Sequence, residues 1–229
     1  MKIKIIHDPQ KATGIAIIID VFRAFTVEPI IIKNGAKELI VIGDKEIAYN
    51  FKKENSNYIL IGERNGIKLP EFDYGNSPSQ IVKVNFTNKV VVHTTSCGTQ
   101  GIVNSINAKE IITGSLVNIS AIVKYIRNRG YDDISIVTLA KPGSNPFEED
   151  QLCAEYIKTK LENNSTDEFN ARISNLRYTS GAKFFDDELQ EIYPKEDFYL
   201  CTDIDKYDFV LRAEKDEKGY YYMEKILVE

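Results

Sequence analysis

Hydrophobic residues in this chain gather into short β-branched runs separated by longer amphipathic stretches. Residues 15–19, 39–42, 58–61, 89–92, 110–112 and 134–137 are short and rich in β-branched residues, which predicts central strands covered on both faces. Between them, residues 25–34, 45–53, 99–106, 117–129 and 148–161 have helical length and spacing. Such alternation predicts an α/β fold, a mostly parallel sheet with helices on both faces. After about residue 163 the alternation fades into a more charged tail, where 197–201, 209–212 and 220–228 are strand candidates. The turn from Asp216 to Gly219 predicts a C-terminal β hairpin. No repeat, low-complexity segment or linker divides the chain. Residues 1–229 therefore read as one α/β domain, with 164–229 the stretch most open to being a small C-terminal subdomain.

One stretch breaks the pattern. Residues 62–80 carry almost no hydrophobic periodicity and follow the apolar run 58–61, so they read as a loop leaving a buried strand, where open α/β sheets bind ligands. The loop holds Glu63 and Asp73, the guanidinium of Arg64, the short polar side chains of Asn76 and Ser77, and three glycines. Carboxylates suit a hard cation, while arginine and backbone N–H groups suit anionic oxygens, so the set fits a phosphorylated substrate accompanied by a metal. The competing reading is a surface loop whose Gly, Asn and Pro merely make turns.

Composition narrows the partners. With 229 residues, 43% of them hydrophobic, the chain can bury a substantial core, and a net charge of −5 argues against a nucleic-acid surface. No apolar run approaches the ~18 residues of a membrane span, so a soluble cytoplasmic protein is expected, with neither export nor membrane insertion indicated. Three widely spaced cysteines, Cys97, Cys153 and Cys201, fit neither a disulfide framework nor a zinc site and predict reduced thiols. Only two histidines, His7 and His93, are present, so an oxygen-ligated Mg²⁺ or Mn²⁺ is the metal to expect.

Other predicted strand ends also carry chemistry. Asp20 leaves the run ending at Ile19 with Arg23 within a turn of it, either an acid beside a phosphate-binding guanidinium or a helix cap beside a surface arginine. His93-Thr94-Thr95-Ser96-Cys97-Gly98-Thr99 is a hydroxyl-rich turn entering a helix, a fit for an oxyanion, although Ser and Thr cap helices everywhere. His93 has no evident partner in sequence and reads as structural. Residues 143–150 open a helix with Glu148, Glu149 and Asp150, which the helix dipole alone would favour. Placed on one rim with Asp20 and Glu63, Glu149 and Asp150 would need a cation or raised pKa values. Asp203, Asp205 and Asp208 read as a solvated acidic turn.

Taken together, these segments resemble the 2-phosphosulfolactate phosphatases, Mg²⁺-dependent enzymes of coenzyme M biosynthesis and their relatives. The resemblance rests on Ile19-Asp20-Val21-Phe22-Arg23-Ala24, on Gly62-Glu63-Arg64-Asn65-Gly66 with Phe72-Asp73-Tyr74-Gly75-Asn76-Ser77-Pro78, on Thr94 to Thr99, and on Glu149-Asp150-Gln151-Leu152-Cys153-Ala154, spanning roughly the first 160 residues. It implies a three-layer α/β fold peculiar to that family, a homodimer, and hydrolysis of 2-phospho-3-sulfolactate to 3-sulfolactate and phosphate. The expected roles follow. Asp20, Arg23 and Glu63 are the catalytic candidates, with Asp20 as nucleophile or base. Asp20, Glu63, Asp73, Glu149 and Asp150 are candidates for holding Mg²⁺, and Arg64, Asn76, Ser77 and the turn Thr95, Ser96, Cys97, Gly98, Thr99 for binding the small acidic substrate. Asp20, Glu63, Asp73 and Asp150 should then converge on one pocket, and replacing Arg23 or Arg64 by Lys should impair activity with little effect on stability.

Departures from the family pattern bear on substrate. Cys97 and Gln100 stand where a usual Asn and Arg do, Phe25 replaces a small hydroxyl residue, Asn65 a Gly, and Lys141-Pro142 stands near a usual Cys-Ala-Gly. They keep open a different phosphate ester, a metal-dependent lyase or transferase, or a non-catalytic anion-binding homologue.

Overall fold

The run Ile15–Ile19 is buried at every position, and that burial organises the molecule. In the computed structural model, which describes residues 1–140 and 144–229, it forms the second strand of a ten-stranded sheet. In chain order, the strands are β1 (Lys2–Ile6), β2 (Ile15–Ile19), β3 (Glu38–Val41), β4 (Ile59–Arg64), β5 (Ile67–Lys68), β6 (Val90–Thr94), β7 (Glu110–Gly114), β8 (Asp133–Thr138), β9 (Phe209–Lys215) and β10 (Tyr221–Leu227). Among the described residues the helices are α1 (Ala24–Lys33), α2 (Lys45–Glu54), α3 (Pro78–Ile81), α4 (Gly98–Asn104), α5 (Ile119–Arg129), α6 (Glu148–Leu161), α7 (Phe169–Asn175) and α8 (Lys195–Cys201). None is long and apolar enough to cross a membrane.

Alternate residues of β2 serve opposite layers. Ile15, Ile17 and Ile19 pack with Ile112, Ile134 and Ile136 against α5 and α6, whereas Ala16 and Ile18 face α1 and α4. The predicted α/β fold, a mostly parallel sheet covered on both faces, is thus the one observed.

The sheet runs β1-β8-β2-β7-β9-β10-β3-β6-β4-β5. The predicted hairpin β9–β10 is present, but it lies inside the sheet, bridging β7 to β3 by antiparallel pairs on both sides. Residues 164–229 thereby supply two interior strands. Because the three junctions β7–β9, β9–β10 and β10–β3 are all antiparallel, the two parallel groups run in opposite senses. Loops leaving β2, β4 and β6 meet at one cavity.

Three stretches differ from expectation. Residues 62–80, expected as one loop, hold the end of β4, then β5 and the start of α3. Residues 197–201 are not a strand: Lys195–Cys201 is helical, with Pro194 at its cap, Glu196 and Asp197 in its first turn, and Phe198 and Cys201 buried on one face. Strand β1, an edge strand with Lys2 and Lys4 alternating with isoleucines, carries too little hydrophobic signal to be read. Cys153 and Cys201 are buried, and no disulfide forms among the described residues.

Candidate active site

Three carboxylates converge where β2 ends. Asp20 leaves the strand and accepts the Ala24 N–H at 3.0 Å, which starts α1. Asp150, in the first turn of α6, accepts the Val21 N–H at 2.8 Å and ties that helix to the same loop. Beside it, Glu149 is 2% exposed, and its Oε2 has no hydrogen-bond partner. A buried carboxylate oxygen without a partner is costly unless something absent from the chain meets it.

Glu63 arrives from the other half of the sheet. Strands β4 and β5 are joined by Asn65-Gly66, both with positive φ (54° and 84°), the sequence signature of a two-residue hairpin. That turn aims the Gly66 N–H at Glu63 Oε2, 2.5 Å away, while the Ser96 N–H and hydroxyl donate to the same carboxylate at 2.7 and 3.1 Å. The Glu63 carboxyl group is therefore held in place by three donors.

Asp20, Glu63, Glu149 and Asp150 line one cavity of about 110 Å³, together with Arg23, Asn76, Ser96 and Cys97. Burial is the largest influence on Asp20, and the charges of Glu63, Glu149 and Glu28 add to it, so its pKa is pushed up to about 7 against the pull of the Ala24 N–H. Burial, then the charges of Asp20 and Glu149, hold Asp150 well above the ordinary carboxylate range.

Positive charge comes from the tail, where sequence reasoning placed none. Lys183 lines the cavity with its Nζ 5.3 Å from the Tyr193 ring centroid and 5.6 Å from that of Phe22. Tyr193 closes one side, so close to the hairpin that a Cβ at Gly66 would run into its hydroxyl. Arg23 also lines the cavity, but its Nη1 is committed to Asp197 Oδ2 at 2.6 Å and the Ile192 carbonyl at 2.9 Å, with the guanidinium stacked 4.9 Å over Tyr193.

Several expected residues lie elsewhere. The four-acid convergence on one pocket is corrected to three of the named acids. Asp73 instead accepts from the Leu60 N–H at 2.8 Å and pairs with Lys52 at 3.0 Å. Arg64 points into a different cavity, bound to the Gly43 carbonyl and the Thr94 hydroxyl at 3.1 and 2.9 Å. Ser77 donates to Asp197 at 2.9 Å. Thr95 and Thr99 are buried and cap each other, the Thr95 N–H on Thr99 Oγ1 at 2.9 Å and the Thr99 N–H on Thr95 Oγ1 at 3.1 Å. Gln100 binds the Gly43 carbonyl at 2.6 Å and does not line the carboxylate cavity, so the absence of an arginine there removes no cation from it. Lys141, Pro142 and Gly143 lie outside the described residues.

Gly98 is not among the residues lining the carboxylate cavity, yet it sets the geometry. A Cβ there would sit 2.8 Å from both Asp20 Oδ2 and Ala24 Cβ, so only glycine lets α4 press against the end of β2. Gly98→Ala is expected to displace the Asp20 carboxylate and lower turnover by about 10²-fold. Steady-state kinetics on folded protein check this.

The 2-phosphosulpholactate phosphatase family model matches residues 3–216, both halves of the sheet and the tail that supplies Lys183 and Tyr193 included. The chain belongs to the 2-phosphosulfolactate phosphatase family. That family is one of phosphoric monoester hydrolases, so the enzyme reading holds. Among relatives named probable 2-phosphosulfolactate phosphatase, that of Thermoplasma volcanium is 39% identical over 155 residues, 68% of this chain and 71% of its own length. Those of Bacillus subtilis and Caldanaerobacter subterraneus subsp. tengcongensis are 30% and 31% identical, spanning 92% and 90% of this chain and 91% and 90% of theirs. Family membership thus extends into the tail, well past the motifs from which the resemblance was first read.

The donors of the carboxylate cavity, carboxylate oxygens among them, one lacking a partner, are of the kind a hard divalent cation takes. Among the described residues no three His, Cys, Asp or Glu side chains are already gathered as a ligand set. Mg²⁺ suits that arrangement, since it is usually held by one or two carboxylates and keeps its remaining places for water and substrate oxygens.

Proposed function

We propose that this protein is a Mg²⁺-dependent phosphatase that hydrolyses 2-phospho-3-sulfolactate, or a closely related small acidic phosphate ester, to the 2-hydroxy acid and phosphate. The observation that carries the reading is the buried carboxylate cluster Asp20, Glu149 and Asp150 facing Lys183 across a small cavity. Glu149 and Asp150 would hold Mg²⁺, which when bound supplies positive charge to phosphate oxygens and sets off the repulsion among the buried acids. Asp20, beside them, takes the proton from the attacking water, and burial, which disfavours its ionised form, makes it a readier proton acceptor than an exposed carboxylate. As water oxygen bonds to phosphorus, the ester P–O bond breaks and the leaving alkoxide takes a proton from solvent water, to which Asp20 returns the one it accepted. Lys183, Asn76 and Arg23, which line the cavity, would balance the anionic oxygens. Glu63, saturated by its three donors, shapes the cavity wall and fixes the Ser96 turn. A homodimer in the cytoplasm is part of the same proposal, supported by the family resemblance.

A panel of phosphorylated three-carbon acids, with and without a sulfonate, tests the substrate. Release of inorganic phosphate should be fastest, by kcat/KM, from an ester carrying a second acidic group. Products other than free phosphate would point to a lyase or transferase, and binding without turnover to a non-catalytic homologue.

A further inference from the structure

Behind the cavity wall lies a buried polar chain that the reaction as described does not use. Glu28, on α1, and His93, on β6, are both fully buried, with Glu28 Oε1 3.1 Å from His93 Nδ1. On its other side His93 Nε2 lies 3.3 Å from Oδ1 of Asn76, which is 6% exposed and lines the cavity. Glu28 thus supplies the partner that His93 lacks in sequence, from 65 residues away.

The chemistry of this chain decides which face Asn76 shows to a ligand. An amide presents a donor on one side and an acceptor on the other. If Nε2 carries no proton, the stable arrangement has the Asn76 NH₂ turned inward to donate to it, and the cavity meets a carbonyl oxygen that repels anions. If Nε2 carries a proton, it donates to Oδ1, and the NH₂ faces the cavity. Protonated Nε2 requires either an imidazolium beside a Glu28 carboxylate or a protonated Glu28 donating to Nδ1; both put one more proton on the pair than the inward-turned arrangement does. Burial raises the pKa of Glu28, which favours keeping that proton in the pair.

We propose that Glu28, acting through His93, is a positioning residue that fixes the Asn76 amide with its NH₂ toward the cavity, where it donates to an anionic oxygen of the substrate. This rests on the reading of the cavity as an anion site. The Glu28–His93 pair touches no substrate itself.

The test is a double-mutant cycle read by binding of inorganic phosphate and by kcat/KM, each per folded molecule. Glu28→Gln keeps an N–H donor for Nδ1 and hence the proton on Nε2, so it should stay within about threefold of wild type. Glu28→Leu frees the tautomer and should weaken phosphate binding by about 10- to 100-fold, the worth of one hydrogen bond to a charged group. Because the effect passes through Asn76, Asn76→Ala combined with Glu28→Leu should be no worse than Asn76→Ala alone. If Glu28→Leu does not fold, His93→Leu, which leaves Asn76 Oδ1 no donor, takes its place in the cycle with the same expectation. A Glu28→Leu or His93→Leu protein that melts earlier but binds phosphate normally, or losses that simply add to that of Asn76→Ala, would overturn the inference alone. Wild-type protein that binds no phosphate would overturn the anion-site reading as well.

Discussion

Asp20→Asn is expected to lower kcat for phosphate release by about 10²–10⁴-fold while making the protein more stable. Asparagine keeps an oxygen for the Ala24 N–H but cannot take a proton from water. The stability gain follows from burial: Asp20 is 8% exposed and repelled by Glu63 and Glu149, so its ionised form is disfavoured in the fold. Between its ordinary value of 3.8 and about 7, the folded state holds this proton and the unfolded chain does not, so stability falls as pH rises through that window. Asparagine escapes the loss. Its advantage should be near zero at low pH and reach on the order of 2 kcal/mol above neutrality, shrinking when Mg²⁺ is added. Thermal melts across pH check it. A variant as unstable as it is inactive would mean that Asp20 is a structural cap.

Arg23 carries the second large effect, and here the structure revises the expectation from sequence. The guanidinium is 4% exposed and paired at 2.6 Å with Asp197, which is fully buried and also accepts from Ser77 and the Ser79 N–H. Removing one member of such a pair leaves a buried charge uncompensated, so Arg23→Ala and Asp197→Ala should each cost about 3–5 kcal/mol. The double variant should cost much less than the sum. Arg23→Lys keeps the charge but loses the stacking on Tyr193, so it should lower both the melting temperature and turnover. Denaturant unfolding of the four proteins in the cycle measures the coupling. Additive losses would mean that the contact contributes little.

Much of the fold was legible because continuous burial of strands such as Ile15–Ile19 leaves its mark on every residue of the run. Strand order was not. Local periodicity says nothing of which distant strands pair, so the interior position of β9–β10 had no sequence signature. At the site, the acids at strand ends were readable, since Asp20, Glu63 and Asp150 sit where chains leave buried elements. Arg64 was misplaced for a reason the sequence does contain: β4 runs through Arg64, and neighbouring residues on a strand point to opposite faces, so Glu63 and Arg64 cannot share a cavity wall. The Asn65-Gly66 hairpin signal would have extended the strand that far. Lys183, Tyr193 and Asp197 were beyond reach, because tertiary contacts bring them from a tail without periodicity.

The most direct measurement is release of inorganic phosphate from 2-phospho-3-sulfolactate as Mg²⁺ is titrated into chelator-treated protein. The carboxylate cluster predicts release that is absent under chelator, rises with Mg²⁺ and saturates. Turnover unaffected by chelator, or no phosphate release at any Mg²⁺ concentration, would contradict it.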